Sequence, residues 1–139
     1  STDYHPCASN PVGTPCVGNG MFYLNSWIRD ANIRDGNSNT MLAGERRSNP
    51  SVSPAIYGTW IGAPPGGVES IGRVLGVADY APNDPFNHFE AYSSNHPGGA
   101  QVLLCDGSVQ FIASSVDIQL FMGLATINKH DNAIVFVPQ

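Results

Sequence analysis

The Asp106-Gly107 step limits what this chain can fold into more than any other pair of residues. It separates Gln101-Val102-Leu103-Leu104-Cys105 from Ser108-Val109-Gln110-Phe111-Ile112, and both runs are strand-like. Asp-Gly in such a setting predicts a β-hairpin, because a two-residue type I′ turn needs positive φ at both central positions. With Asp106 and Gly107 as the loop, Cys105 faces Ser108, Leu104 faces Val109 and Val102 faces Phe111. That register sets Val102, Leu104, Val109 and Phe111 on one face. A slip of one residue would scatter them across two.

The stretch after the hairpin changes period. Ser114 and Asp117 are spaced as a capping box. Val116, Leu120, Leu124 and Ile127 then recur as one helical face. A helix of about three turns over 115–127, interrupted by Gly123, is expected to dock on the hairpin. Upstream, strands are expected at Met21–Leu24, Thr40–Glu45, Tyr57–Gly62 and, weakly, Val74–Val77, with a final edge strand at Ile134–Val137. The chain holds 15 Gly and 11 Pro and only 12% charged residues, so loops take much of it. Residues 1–20 carry Pro6, Pro11, Pro15, Gly13, Gly18 and Gly20 and read as an extended, pinned segment. The expected fold is α+β and β-rich: an antiparallel sheet, one short C-terminal helix and long loops, in one domain over 1–139.

Net charge is −5, and the only adjacent basic pair is Arg46-Arg47. No positive stripe of the kind nucleic acid requires can be built from these residues, and an anionic membrane surface is equally ill matched. No apolar run approaches the ~18 residues of a transmembrane helix, and no signal peptide precedes Ser1. Of the three cysteines, Cys7 and Cys16 lie in the Pro/Gly-rich segment and would close a short loop. A Cys7–Cys16 disulfide is the expectation, implying an oxidising compartment; three free thiols in a cytosolic protein are the alternative. Cys105 lies apart, in a strand pattern, and its pairing with another chain stays open.

The residues around the hairpin resemble a bacterial pilin/pseudopilin-like group known as domain of unknown function 1559. Its C-terminal signature is a His, nine residues, then Asp-Gly; here that is His96, residues 97–105, then Asp106-Gly107. Ser93-Ser94-Asn95-His96-Pro97-Gly98-Gly99-Ala100 matches ahead of the hairpin, and Asp106-Gly107-Ser108-Val109 across it. Ile33 to Thr40 running into Gly44-Glu45 is a second correspondence, and Leu124-Ala125-Thr126 a third. The resemblance spans roughly Gly20 to Ile134. It implies a pilin-like globular head, outside the cytoplasm at a cell surface or secreted, that associates with itself or with other pilin-like subunits. Members usually begin with a cleavable prepilin segment and a long apolar helix, which is missing here: either it was removed, or this version works without it.

Each candidate site also has an ordinary structural role open to it. His96 and Asp106 could form an acid–base pair, but turn chemistry already accounts for Asp before Gly, and no Gly-x-Ser-x-Gly elbow is present. His96, Gly98, Gly99, Asp106 and Gly107 are therefore expected to be structural and the chain non-enzymatic. Asp30 to Asn39 is rich in the oxygens that suit calcium, with Asp35 the best ligand, yet it departs from an EF-hand loop and reads first as a turn. Asp79, Asn83 and Asp84 form a similar loop. No cofactor is expected beyond that calcium alternative. His5, His88 and His130 read as loop residues, and Trp27 and Trp60 as core anchors. A surface module for carbohydrate or calcium is the alternative function.

Overall fold

The computed structural model describes residues 19–22, 26–48, 74–86, 88 and 90–128. Its centre is a three-stranded antiparallel sheet in the order β1-β2-β3, with β1 at Met41–Gly44, β2 at Gly99–Leu104 and β3 at Val109–Ala113. One helix, α1, spans Ile118–Leu124. Two 3-10 turns, Asp30–Asn32 and Asn37–Asn39, precede β1. The expected α+β class, with one short helix and long loops, is what the chain adopts. Cys7, Cys16, the strand expected at Tyr57–Gly62, the final strand at Ile134–Val137, and Trp60, His5 and His130 lie outside the described residues.

The hairpin forms, but one residue out of the expected register. Leu103 pairs with Val109, Val102 with Gln110 and Gln101 with Phe111. The reason is the loop. Gly107 N–H donates to Leu104 O at 3.0 Å and Leu104 N–H to Ser108 O at 2.9 Å, so Cys105, Asp106 and Gly107 together make the bend. Gly107 has φ +87°, whereas Asn83 is the only described non-glycine residue with positive φ. Asp106 is thus not left-handed, and the turn is a type I turn closed by a left-handed glycine rather than a type I′ turn. The extra loop residue turns β3 over. Val102 and Leu104 are buried on the inner face, while Val109 and Phe111 are 58% and 52% exposed on the other.

The inner face meets α1. Val102, Leu104 and Met41 pack with Ala78 and Phe121, Ile112, Val116, Ile118, Tyr92 and Ala125 close the periphery, and Ala100 is buried on the same strand. Asp117, not Ser114, is the N-cap; its carboxylate accepts from Gln119 N–H and Leu120 N–H at 2.9 and 3.0 Å. This start lies three positions beyond Ser114 and shortens the helix, and the side chain it turns inward is Phe121, wholly buried, while Leu120 is 62% exposed. Ser114 continues the ladder instead, donating its N–H to Gly98 O at 2.7 Å. The weak strand expected at Val74–Val77 does not form, and that stretch contributes only an isolated parallel bridge, Val77 to Ala91. Of the strand expected at Met21–Leu24, Met21 and Phe22 are irregular, and Tyr23 and Leu24 lie outside the described residues.

This phase of the helix has a direct test. Phe121→Ala is expected to cost about 3–5 kcal/mol in denaturant unfolding, the usual loss for a buried aromatic. Leu120→Ala should stay within about 0.5 kcal/mol, as exposed substitutions do. The reverse ranking would place the wrong face on the sheet.

Candidate functional site

The segment from Ser93 to Gly99 enters β2 through a clamp of hydrogen bonds. Gly99 O accepts from Asn83 Nδ2 at 3.0 Å and from Ser94 Oγ at 2.6 Å. Ser94 N–H donates to Asn83 Oδ1 at 2.8 Å, and His96 N–H donates to Ser94 Oγ at 2.9 Å. Asn83 holds its side chain there at φ +62°, a conformation Asn accepts more readily than most residues. Gly98 has φ +80°, and a Cβ at Gly99 would collide with the Ile112 carbonyl oxygen and the Phe111 ring. Both glycines are therefore dictated by backbone geometry. The Phe111 ring covers Gly99, much as aromatic residues cover glycines on sheet surfaces.

Glu45 joins this clamp to β1. Its Oε2 accepts from Gln101 N–H at 2.8 Å, and its Oε1 lies 3.5 Å from His96 Nε2. His96 and Asp106 flank opposite ends of the six-residue β2, roughly 20 Å of extended chain apart. They do not form an acid–base pair. Asp106 instead accepts from Ser108 N–H and Ser108 Oγ at 2.8 and 2.7 Å, and these bonds hold its carboxyl below the usual aspartate range. It is a charged acceptor at a turn. Cys105, a free thiol beside it, is pushed up by burial and by the Asp106 and Asp30 carboxylates, so it stays protonated at neutral pH.

Both oxygen-rich loops are closed by internal hydrogen bonds. Asp35 O accepts from Asn39 Nδ2 at 3.0 Å, and Gly36 O accepts from Asn39 N–H and Thr40 Oγ1. Among the described residues no group of three or more His, Cys, Asp or Glu side chains gathers. In the second loop, Asn83 serves the clamp and Asp84 bonds Phe86 N–H and His88 Nδ1 at 3.0 and 2.9 Å.

Three features escaped the sequence. His88 is not a bare loop residue: besides Asp84 it stacks on Tyr80, with ring centroids 3.6 Å apart. The i, i+4 spacing of Asp84 and His88 was the available signal. Arg46 reaches inward, donating from Nη2 to Leu75 O at 3.1 Å and Glu90 O at 2.8 Å beside the Tyr92 ring. Burial raises the Tyr92 phenol above its ordinary pKa, against the opposing effect of Arg46. Trp27 is no core anchor; it is 76% exposed at the rim of a cleft of about 510 Å³ between residues 27–34 and 127–128.

A hairpin whose centre strand is clamped at its entry, backed by one short helix, defines a small α+β domain organised around loops. The family described as a protein of unknown function, DUF1559 (SBP_bac_10), matches residues 4–119, and the chain belongs to it. The match stops before Leu124-Ala125-Thr126, so the third correspondence falls outside it. No curated protein and no solved structure gives a significant match.

Two outcomes check this geometry. Gly99→Ala should destabilise by about 1–3 kcal/mol, the range for overpacking, in equilibrium unfolding. The Cys105 thiol should alkylate more slowly at neutral pH than a free cysteine peptide, and Asp106→Asn should speed it by removing a neighbouring negative charge. The rate should climb by about tenfold per pH unit from neutrality and level off only above the raised thiol pKa.

Proposed function

We propose that this chain is a non-enzymatic assembly subunit, the pilin- or pseudopilin-like head of a bacterial filament or secretion apparatus, working outside the cytoplasm. The observation that carries the reading is the outer face of the sheet. Val109 and Phe111 stand exposed there in line with Leu103, Ala43 and Ala113, on a sheet whose inner face is already filled. Apolar side chains aligned on an exposed strand suit burial against another subunit. Among the described residues β3 also has no partner on its far side, and an open strand edge is a template for pairing with another chain. Of the polar side chains beside β2 that could suggest catalysis, Glu45, Asn83, Ser94 and Asp106 bond backbone and turn groups, and the His96 imidazole lies 3.5 Å from the Glu45 carboxylate, which fits a structural part.

The partners this reading calls for are copies of the same chain or other pilin-like subunits, with no nucleic acid and no membrane contact by this head. Sedimentation velocity across a concentration series, with electron microscopy of the assembled material, tests it. Self-association or ordered filaments are expected, and Val109→Lys should weaken them at least tenfold, as about 1.4 kcal/mol would. Val109 is the better probe than Phe111, whose ring also covers Gly99. A protein that stays monomeric at high concentration, alone and with its co-expressed pilin-like neighbours, would count decisively against the proposal.

A further inference from the structure

The cleft beside Trp27 is independent of the assembly face and uses different residues. Its walls are the turn from Trp27 to Arg34 and the chain leaving α1 at Ile127 and Asn128. They are tied together by backbone: Ile127 O accepts from Arg34 N–H at 2.8 Å and Asp35 N–H at 3.3 Å, and Ile127 N–H donates to Asn19 O at 3.0 Å. The Asp30–Asn32 turn is closed from within, with Arg29 N–H donating to Asn32 Oδ1 at 2.9 Å and Asn32 N–H to Arg29 O at 2.7 Å. The opening is therefore set by main-chain bonds on both sides. At about 510 Å³ it falls within the range of small-ligand clefts.

Its lining has an unusual charge. The chain carries only six basic residues against eleven acidic ones, yet Arg29 and Arg34 both line this cleft. The neighbouring Asp30 and Asp35 do not line it. Among the described residues, neither guanidinium makes an ion pair with a carboxylate. Arg29 instead sits over the Trp27 ring, 4.9 Å from its centroid, a cation–π contact that sets the guanidinium beside the indole. Asn32 on one wall and Asn128 on the other add amide groups to the lining. A planar cation fork, a flat exposed ring and neutral amides are the groups that recognise a carboxylate carried on a ring with hydroxyls.

We propose that this cleft binds a carboxylated sugar of the uronate class. Arg34 and Arg29 take the carboxylate, Trp27 stacks on the pyranose ring, and the asparagine amides bond hydroxyls. An acidic polysaccharide outside the cell is the corresponding macromolecule. Net charge alone would repel such a ligand, so the local pair of arginines is what admits it.

Isothermal titration of the full chain with tetragalacturonate, at low ionic strength, tests the assignment. Saturable binding is expected, with little or none for the methyl ester of the same oligosaccharide, which has lost the charge. Arg34→Gln should weaken it by about tenfold or more, in keeping with a lost charge-assisted hydrogen bond. Trp27→Ala should also weaken it, and added salt should loosen it. Trp27 and Arg34 are both exposed, so thermal midpoints of the variants should match the parent and confirm folding. The proposal is overturned by no heat at millimolar tetragalacturonate, by equal binding of the methyl ester, or by unchanged affinity in both variants. It is equally overturned if an acidic peptide binds where the sugar does not. None of these outcomes depends on whether the chain assembles.

Discussion

Strand β2 sets the terms for everything around it. It is the middle strand, so its backbone must find partners on two sides, and Ala100, Val102 and Leu104 must be kept from water on its inner face. A buried backbone group left unpaired costs as much as a lost hydrogen bond. Both of the strand's ends are met by loops rather than by regular structure. At the entry, Gly99 O takes two side-chain donors while Glu45 exchanges bonds with Gln101, through N–H to Gln101 O at 3.0 Å and through its carboxylate. At the exit, Cys105 N–H reaches Thr40 O at 2.9 Å and Asp106 N–H reaches Asn37 O at 3.1 Å. The polar turn of residues 33–40 and the Gly-rich lead-in of 93–99 are thus two ends of one device. They hold the centre strand.

The scarcity of charge follows from the same arrangement. Loops this long can be ordered only if their polar groups bond one another, and Asn and Ser do so without the desolvation penalty of an ion. Where a charge does go inside, it is placed with care. Arg46 spends its guanidinium on the Leu75 and Glu90 carbonyl oxygens, alongside a Tyr92 ring that fills the space side chains at Gly44 and Gly76 would need. Tyr92 in turn presents its ring edge-on to Phe121, with centroids 5.9 Å apart. That aromatic contact, with Ala78 in the same cluster, couples the loop layer to the helix.

How much of this could be read beforehand depended on whether the signal was local. The Asp106-Gly107 bend was legible because turn chemistry is decided within four residues. Its register was not, since Asp-Gly serves a three-residue loop with a left-handed glycine as well as a two-residue one. Val109 and Phe111 then made the wrong register look right by supplying apolar residues at the outward positions. The helix failed in a similar way: Leu120 fits the apolar period but faces water, and Asp117 took the cap that Ser114 seemed to offer. The clamp residue Asn83, the partner of His88 and the inward path of Arg46 all depend on contacts between distant segments. Only the short spacing of Asp84 and His88 left any trace in sequence.

The places where pattern and burial disagree share a character. Val109, Phe111, Leu120 and Trp27 were all expected to face a core, and all are exposed. A hydrophobic side chain placed outside is neutral when isolated, but several aligned on a sheet face, or one braced by a guanidinium at a cleft, are not scattered exceptions. Foldable sequences agree with their structures at most levels, and departures concentrate where another demand competes with stability. Here the competing demand falls into two separate sets. The strand β3 pair lies on the outer face of the sheet, at an edge that no described strand covers, which suits another subunit. Trp27 meets a rim of arginines that, among the described residues, pair with no carboxylate, which suits a small anionic ligand and would gain nothing from a neighbouring apolar sheet. The partners proposed for the outer face and for the cleft therefore differ, and losing one need not weaken the other.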